Sequence, residues 1–184
     1  SAVFGGVQRA RVSSQSWKRA IREYAAENSD HFRGQRGHFA AEKLAAHMRE
    51  AGFAEEQATT FAEEIITSIG KKSSKYKDGH KTDVALFFSP GELQAIAQAA
   101  HQQFEENGKV EPKKGLLAKQ IKAAHVKDMA DIAIFGRMVA SDHTLMLEGA
   151  GLFSHALSTH AVSNDIDFFS AVDDTKHESD EGAG

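Results

Sequence analysis

Residues 5–22 read GGVQRARVSSQSWKRAIR, and in this stretch an extended segment leads directly into a helix. A helix beginning at Ser13 or Ser14 is predicted by apolar residues that recur at helical spacing. Its apolar stripe, which we expect to be buried, consists of Trp17, Ala20, Ile21 and Tyr24. The opposite face repeats that spacing with polar residues, namely Gln15, Lys18, Arg19 and Arg22.

The charges of this stretch are one-sided, with five basic residues and no acidic one. Arg9 and Arg11 are two positions apart in a strand-like run, so we expect them to point to one side of a pleat. Arg and Lys neutralise phosphates, Ser and Gln hydrogen-bond phosphate or sugar oxygens, and helix-start amides attract anions. The stretch therefore predicts a track for an extended polyanion, with an ordinary solvated basic face as the alternative.

The middle of the chain has helical patterning. Helices are predicted over residues 41–51, 54–69, 90–108 and 116–124. Residues 84–88 are predicted to be a short buried strand, and the capping box that follows it contains Ser89 and Glu92. The lysine-rich residues 71–81 lack periodicity and are interpreted as a basic loop.

Strand patterning returns near the C-terminus. Residues 132–135 and 166–172 are predicted to be strands, and residues 152–162 are predicted to be an amphipathic helix. The order strand, helical block, strand, helix, strand indicates an α+β domain with inserted helices.

The composition limits the class of protein. The chain has 184 residues, a net charge of −4 and no cysteine, which excludes a disulfide framework and cysteine-based zinc sites. Its length suits one domain with a core, or a core with a helical insertion. Because the sequence lacks an apolar run near the roughly 20 residues that span a bilayer, we predict a cytoplasmic protein.

Ten histidines raise the question of a metal site. His155 and His160 are five apart in the predicted helix, about 140° apart around its axis, so they are poorly placed to share an ion. His160 lies on the apolar stripe and is interpreted as a core histidine. An acidic set is available for Mg²⁺, although a solvated turn is the preferred interpretation: Asp165, Asp167, Asp173 and Asp174. We predict no cofactor and no catalytic residue, because the sequence contains no nucleophile–base pair or cofactor fingerprint.

Three motifs in order carry a family resemblance. They are AVFGGVQRARVSSQSWKRAIR at residues 2–22, ADIAIFGRMVAS at residues 130–141, and SHALSTHAVSNDIDFFSAVDD at residues 154–174. In these motifs the chain resembles the CasC family, the guide-RNA-holding backbone subunit of the type I-E CRISPR surveillance complex called Cascade. In that family further sheet strands lie before and after this region, so we expect a fragment cut at both ends.

The resemblance implies a ferredoxin-like, RRM-like palm that is incomplete here, with a large, mostly helical insertion. Four segments follow from it. Residues 1–30 are a basic, RNA-gripping strand and helix of the palm, 31–128 the fingers-like insertion, 129–174 palm strands and helix, and 175–184 the start of a thumb hairpin.

The resemblance also implies the site residues. Those that grip the guide backbone are Arg9, Arg11, Ser13, Gln15, Lys18, Arg19 and Arg22. Met138 matches a position that wedges beside a kink in the guide, where a flexible apolar side chain fills the gap between unstacked bases. Trp17 is interpreted as core. The implied partners are CRISPR RNA, target DNA through guide pairing, further copies of the chain head-to-tail and other Cascade subunits.

Two functions from different classes remain. The favoured one is a non-catalytic RNA-binding subunit, which holds its guide by the phosphates so that the base edges stay free for target DNA. The alternative is a metal-dependent nuclease that uses the acidic set around Asp165 and Asp174.

Overall fold

The computed structural model describes residues 1–73, 81–111 and 115–162. The strands of this part are β1 (Ala2–Phe4), β2 (Val7–Arg9), β3 (Arg11–Val12), β4 (Gln35–Gly37), β5 (Leu86–Phe88) and β6 (Ala156–Leu157). Its α-helices are α1 (Ser14–Asn28), α2 (Ala40–Glu50), α3 (Glu55–Gly70), α4 (Pro90–Asn107), α5 (Leu116–Ala123) and α6 (Ala130–Phe135). A short 3₁₀ turn, His143–Leu145, follows α6.

The hydrophobic core lies in the helical block, where α2 packs against α3 and α4. Each helix contributes an apolar stripe at helical spacing, and its members include the fully buried Leu44, Met48, Ile65, Ile66 and Ile96. The predictions of helices over residues 41–51, 54–69, 90–108 and 116–124 are therefore confirmed to within a residue or two.

An aromatic cluster closes one end of this block. The ring of Phe53 lies 5.5 Å from Phe61, 5.2 Å from His101 and 5.4 Å from Phe104, in edge-on or tilted arrangements. Such geometries suit the quadrupoles of the rings and add to the stabilisation that burial provides.

Helix α4 begins with the predicted capping box. Ser89 Oγ accepts a hydrogen bond from the Glu92 amide at 3.2 Å, and the Glu92 carboxylate accepts one from the Ser89 amide at 3.0 Å. Pro90 is at the first helical position, and Gly108 ends the helix in a left-handed conformation with φ 68°.

In the described part of the chain, the strands pair as three two-stranded sheets: β1 with β2, β3 with β6, and β4 with β5. All three pairs are antiparallel, and β5, predicted as a buried strand, has three buried residues. Helices and antiparallel strands are both present, which confirms the α+β class. The ferredoxin-like arrangement stays a prediction.

The predicted strand at residues 132–135 is wrong, because this run belongs to α6. A short apolar run does not distinguish a buried strand from a buried helix. Local hydrogen bonds decide the outcome here, since the Asp131 carboxylate accepts the Ile132 amide at 2.9 Å and Gly136 ends the helix with φ 80°.

The predicted helix at residues 152–162 is also wrong. This segment is extended, and its strand β6 pairs with β3, placing Leu157 opposite Arg11 and Ala156 opposite Val12. The pairing continues beyond the strand, because the Ser158 amide donates to the Ala10 carbonyl at 3.0 Å. Backbone groups of the N-terminal segment thus take the hydrogen bonds that a helix would have made internally.

Several predictions lie outside the described residues. These are most of the basic loop at 71–81, the strand at 166–172, the start of the thumb and the acidic set of the nuclease alternative. Among the described helices, none is both long enough and apolar enough to cross a membrane.

Candidate nucleic-acid interface

The predicted start of α1 is confirmed. Ser13 is the N-cap, and its Oγ accepts a hydrogen bond from the Ser16 amide at 3.1 Å. The first turn contains no acidic residue, so the partial positive charge of the helix start is not offset from within the helix. An anion is favoured there.

One row of α1 faces the rest of the protein, and it contains residues 14, 18 and 22. The Ser14 amide donates to Nδ1 of His155 at 3.0 Å. Lys18 Nζ lies 5.6 Å from the centre of the Phe153 ring, and the guanidinium carbon of Arg22 lies 5.1 Å from that of Phe87. Aromatic faces attract cations at these distances, which stabilises the two basic side chains in half-buried positions.

The apolar stripe of α1 is exposed, so the prediction of a buried stripe with Trp17 in the core is wrong. Trp17 is 43% exposed, Ile21 37% and Tyr24 71%, and α1 contains no buried residue. The periodicity correctly identifies which face is apolar. It cannot identify which segment covers that face, and the described segments pack against the row at 14, 18 and 22 instead.

Arg9 belongs to β2 and Arg11 to β3, and Ala10 lies between these two strands. Arg9 donates to three carbonyl oxygens, those of Phe4 at 2.9 Å, Ser158 at 3.0 Å and Thr159 at 2.7 Å. It thereby joins the β1–β2 hairpin to the extended segment after β6. Carbonyls accept from its Nε and Nη1 without neutralising its charge, so Arg9 still contributes positive potential to this surface.

The remaining predicted contacts differ in how accessible they are. Arg11 and Gln15 are exposed. Arg19 Nε donates to the Glu23 carboxylate at 2.6 Å in an ion pair of 42% and 55% exposed side chains. Exposed pairs at this spacing are weak, so a phosphate can compete with Glu23 for Arg19.

Met138 is 81% exposed, although its neighbour Arg137 is buried. Arg137 Nη1 lies 2.8 and 2.9 Å from the carboxylate oxygens of Glu92, and its Nε donates to the Leu145 carbonyl at 2.9 Å. Burial raises the pKa of Glu92, and the charge of Arg137 opposes that rise. The buried ion pair anchors the loop, and this holds the flexible side chain of Met138 in solvent.

A second buried carboxylate lies close to α1. Asp131 is 2% exposed, and burial raises its pKa, while the Ile132 amide and the charge of Arg22 oppose the rise. Gly34 packs against it so closely that an added Cβ would lie 2.5 Å from Asp131 Oδ2 and 2.6 Å from the Phe87 ring. Only glycine fits this close approach, which brings Arg22, Phe87 and Asp131 together.

Sequence reasoning missed the second wall of this surface, which is the extended segment at residues 153–160. His155 and His160 are exposed, so the interpretation of His160 as a core histidine is wrong. The error follows from assigning the segment to a helix. Among the described residues there is no cluster of three or more potential metal ligands.

The fold and this surface define an α+β protein with a helix start that has no acidic residue in its first turn, a row of half-buried basic side chains and an exposed methionine. The chain matches the model of the CT1975-like protein family over residues 1–184, and it therefore belongs to that family. Among curated proteins, none matches the chain.

Two solved structures are similar to this chain. One is described as "CRISPR RNA-guided surveillance complex, pre-nicking", with a TM-score of 0.64, 30% sequence identity, and coverage of 100% of this chain and 52% of that chain. The other is described as "CRISPR RNA-guided surveillance complex", with a TM-score of 0.65, 30% identity, and coverage of 87% and 51%. The chain thus spans about half the length of these relatives. The resemblance to the CasC family is confirmed by these matches.

Proposed function

We propose that this chain is part of a non-catalytic subunit that holds CRISPR RNA in an antiviral surveillance complex. The observation that carries the proposal is the full-length family match, together with 30% identity to chains of two RNA-guided surveillance complexes.

The geometry of the α1 surface supports backbone binding. Its donors are a capped helix start, amide and hydroxyl groups, and cations, all of which suit phosphate and sugar oxygens. Ser13 is already used as the N-cap, so we propose that it positions the helix start for the RNA. The contacts expected to reach phosphates come from Arg9, Arg11, Gln15, Lys18, Arg19 and Arg22. Because such contacts ignore base identity, the base edges of the guide stay free to pair with target DNA.

Met138 fits the same proposal. An exposed apolar side chain on an anchored loop is suited to insert between bases and hold a local kink.

The finer points of the proposal rest on the family. We propose a type I-E Cascade, a cytoplasmic location and an RRM-like palm, from which residues 31–128 project as the fingers. Copies of the subunit would follow one another head-to-tail along the guide and contact other Cascade subunits, with the thumb hairpin starting near residue 175.

Fluorescence anisotropy with unrelated single-stranded RNAs, measured across a salt series, tests the proposal. We expect affinity to be nearly independent of RNA sequence and to fall steeply with salt, because each phosphate contact releases counterion. Large differences between RNAs of equal length would contradict backbone binding.

The same samples test the nuclease alternative. We expect the RNA to stay intact with or without Mg²⁺ and a chelator. Metal-dependent cleavage that disappears when Asp173 and Asp174 are both changed to Ala would transfer the assignment to a nuclease.

A further inference from the structure

His155 occupies a position that the family comparison does not explain. Pairing of β3 with β6 brings residue 155 beside the start of α1, where the Ser14 amide donates to His155 Nδ1 at 3.0 Å. Two residues earlier, the Phe153 ring lies beneath Lys18. Alternate residues of an extended segment point to one side, so Phe153 and His155 follow one row of α1, the row containing Ser14 and Lys18.

The hydrogen bond determines where the proton of this imidazole lies. A nitrogen that accepts a hydrogen bond carries no proton, so the neutral ring carries its proton on Nε2. Nδ1 therefore satisfies one of the amides that a helix start leaves without an intrahelical partner. Nε2–H is a donor on the far edge of an exposed side chain.

We propose that His155 is a further RNA-binding residue, which donates Nε2–H to a phosphate or ribose oxygen beside the start of α1 while Nδ1 caps that helix. This inference rests on the proposed function, and it adds the extended segment around residue 155 to the RNA-binding surface. The contact is neutral, so it adds affinity without releasing counterion.

Two substitutions separate the roles of the two ring nitrogens. In His155→Asn the side-chain oxygen stands near the position of Nδ1, so the cap is kept and the distant donor is lost. In His155→Gln the amide nitrogen reaches the position of Nε2, so the donor is kept and the cap is weakened. His155→Ala removes both.

Hydrogen exchange of the Ser14 amide reports the cap, and anisotropy with a fluorescent oligo-uridine RNA reports the contact. We expect His155→Asn to protect the Ser14 amide as the parent does but to bind the RNA about tenfold more weakly, because a hydrogen bond to a charged group is lost. His155→Gln should expose the Ser14 amide to exchange, and its affinity for the RNA should be within about threefold of the parent's, since most of the donor's contribution remains. The salt slope should be unchanged in both variants.

The inference is overturned if RNA affinity depends on the cap and not on the donor. In that case His155→Asn would bind like the parent, and His155→Gln would bind as weakly as His155→Ala. It is also overturned if both variants bind like the parent. His47→Asn, on α2, is the matched control and should leave binding unchanged.

Lys18→Ala distinguishes this inference from the proposed function. If Lys18→Ala weakens binding and the His155 variants do not, only the role of His155 fails. If the parent chain does not bind RNA at all, the proposed function itself fails.

Discussion

Arg137 and Glu92 form a buried ion pair in which Nη1 of Arg137 lies 2.8 and 2.9 Å from the two carboxylate oxygens, although the residues are 45 positions apart. Both side chains are buried, and Arg137 also donates to the Phe87 carbonyl at 3.2 Å and lies 5.0 Å from the Phe88 ring. The pair thus connects α4, β5 and the loop that presents Met138. A buried pair holds its position strictly because separating the charges without water is costly.

We expect Arg137→Met to lower the free energy of unfolding by about 3–5 kcal/mol, because it leaves the Glu92 carboxylate charged and buried. Adding Glu92→Gln should recover much of that loss, since glutamine removes the charge and retains the capping-box interaction. Urea denaturation of the parent, both single variants and the double variant measures the coupling. A double variant no more stable than Arg137→Met would show that the lost packing of Arg137 dominates.

The stability of the protein should depend on pH through Asp131. Burial raises the pKa of this carboxyl in the folded protein, so in the relevant window the folded state binds more protons than the unfolded state. The parent should therefore lose stability relative to Asp131→Asn as pH rises from below the ordinary carboxyl range through the raised folded pKa.

Denaturation of both proteins at several pH values measures this difference. Asp128→Asn serves as the comparison variant. Asp128 lies in the neighbouring turn, and its carboxylate accepts a hydrogen bond from the Gly91 amide at 2.8 Å. The opposite trend, in which the parent gains stability relative to Asp131→Asn as pH rises, would mean that folding lowers the pKa of Asp131.

The two faces of α1 should respond oppositely to truncation. Lys18→Ala should weaken RNA binding and reduce the salt slope by about one unit, because one phosphate contact is lost. Trp17→Ala should cost roughly 1 kcal/mol or less, well below the typical cost of truncating a buried aromatic, because its side chain is 43% exposed.

Thermal melts and anisotropy of the two variants separate these effects. A stable Trp17→Ala variant that loses RNA binding, beside a Lys18→Ala variant that binds normally, would identify Trp17 as a stacking platform of the kind used by single-strand binders. The backbone-gripping mechanism would then have to be given up.

Local rules predicted the helical block well, and its elements show why. In α3 and α4 the apolar residues recur at helical spacing, and α4 begins with the Ser89–Glu92 box and ends at Gly108. These signals act over a few residues and agree with one another, so the sequence is sufficient to read them. One error occurred at residues 132–135, where a short apolar run fits either structure, and the other at residues 152–162, where pairing with β3 overrides an amphipathic pattern.

The candidate site was predicted in part. The basic residues of the first helix and its start at Ser13 or Ser14 follow from spacing and residue type, and the family motifs added Met138. The contribution of His155 could not be predicted, because it depends on pairing between segments more than 140 positions apart. The local pattern offers no signal for this pairing, because residues 152–162 read LFSHALSTHAV, in which apolar pairs recur every four or five positions as on one face of a helix.

By itself, the sequence determined the helices of the block, their ends, the concentration of positive charge before residue 22 and the family. Those properties depend on neighbours along the chain, whose geometry the backbone sets locally. Only the tertiary structure decided that the row of α1 containing Lys18 and Arg22 lies on aromatic rings while Trp17 is exposed. The physical reason is that periodicity distinguishes the faces of a helix, but burial depends on which distant segment supplies the hydrogen bonds and surface to cover them.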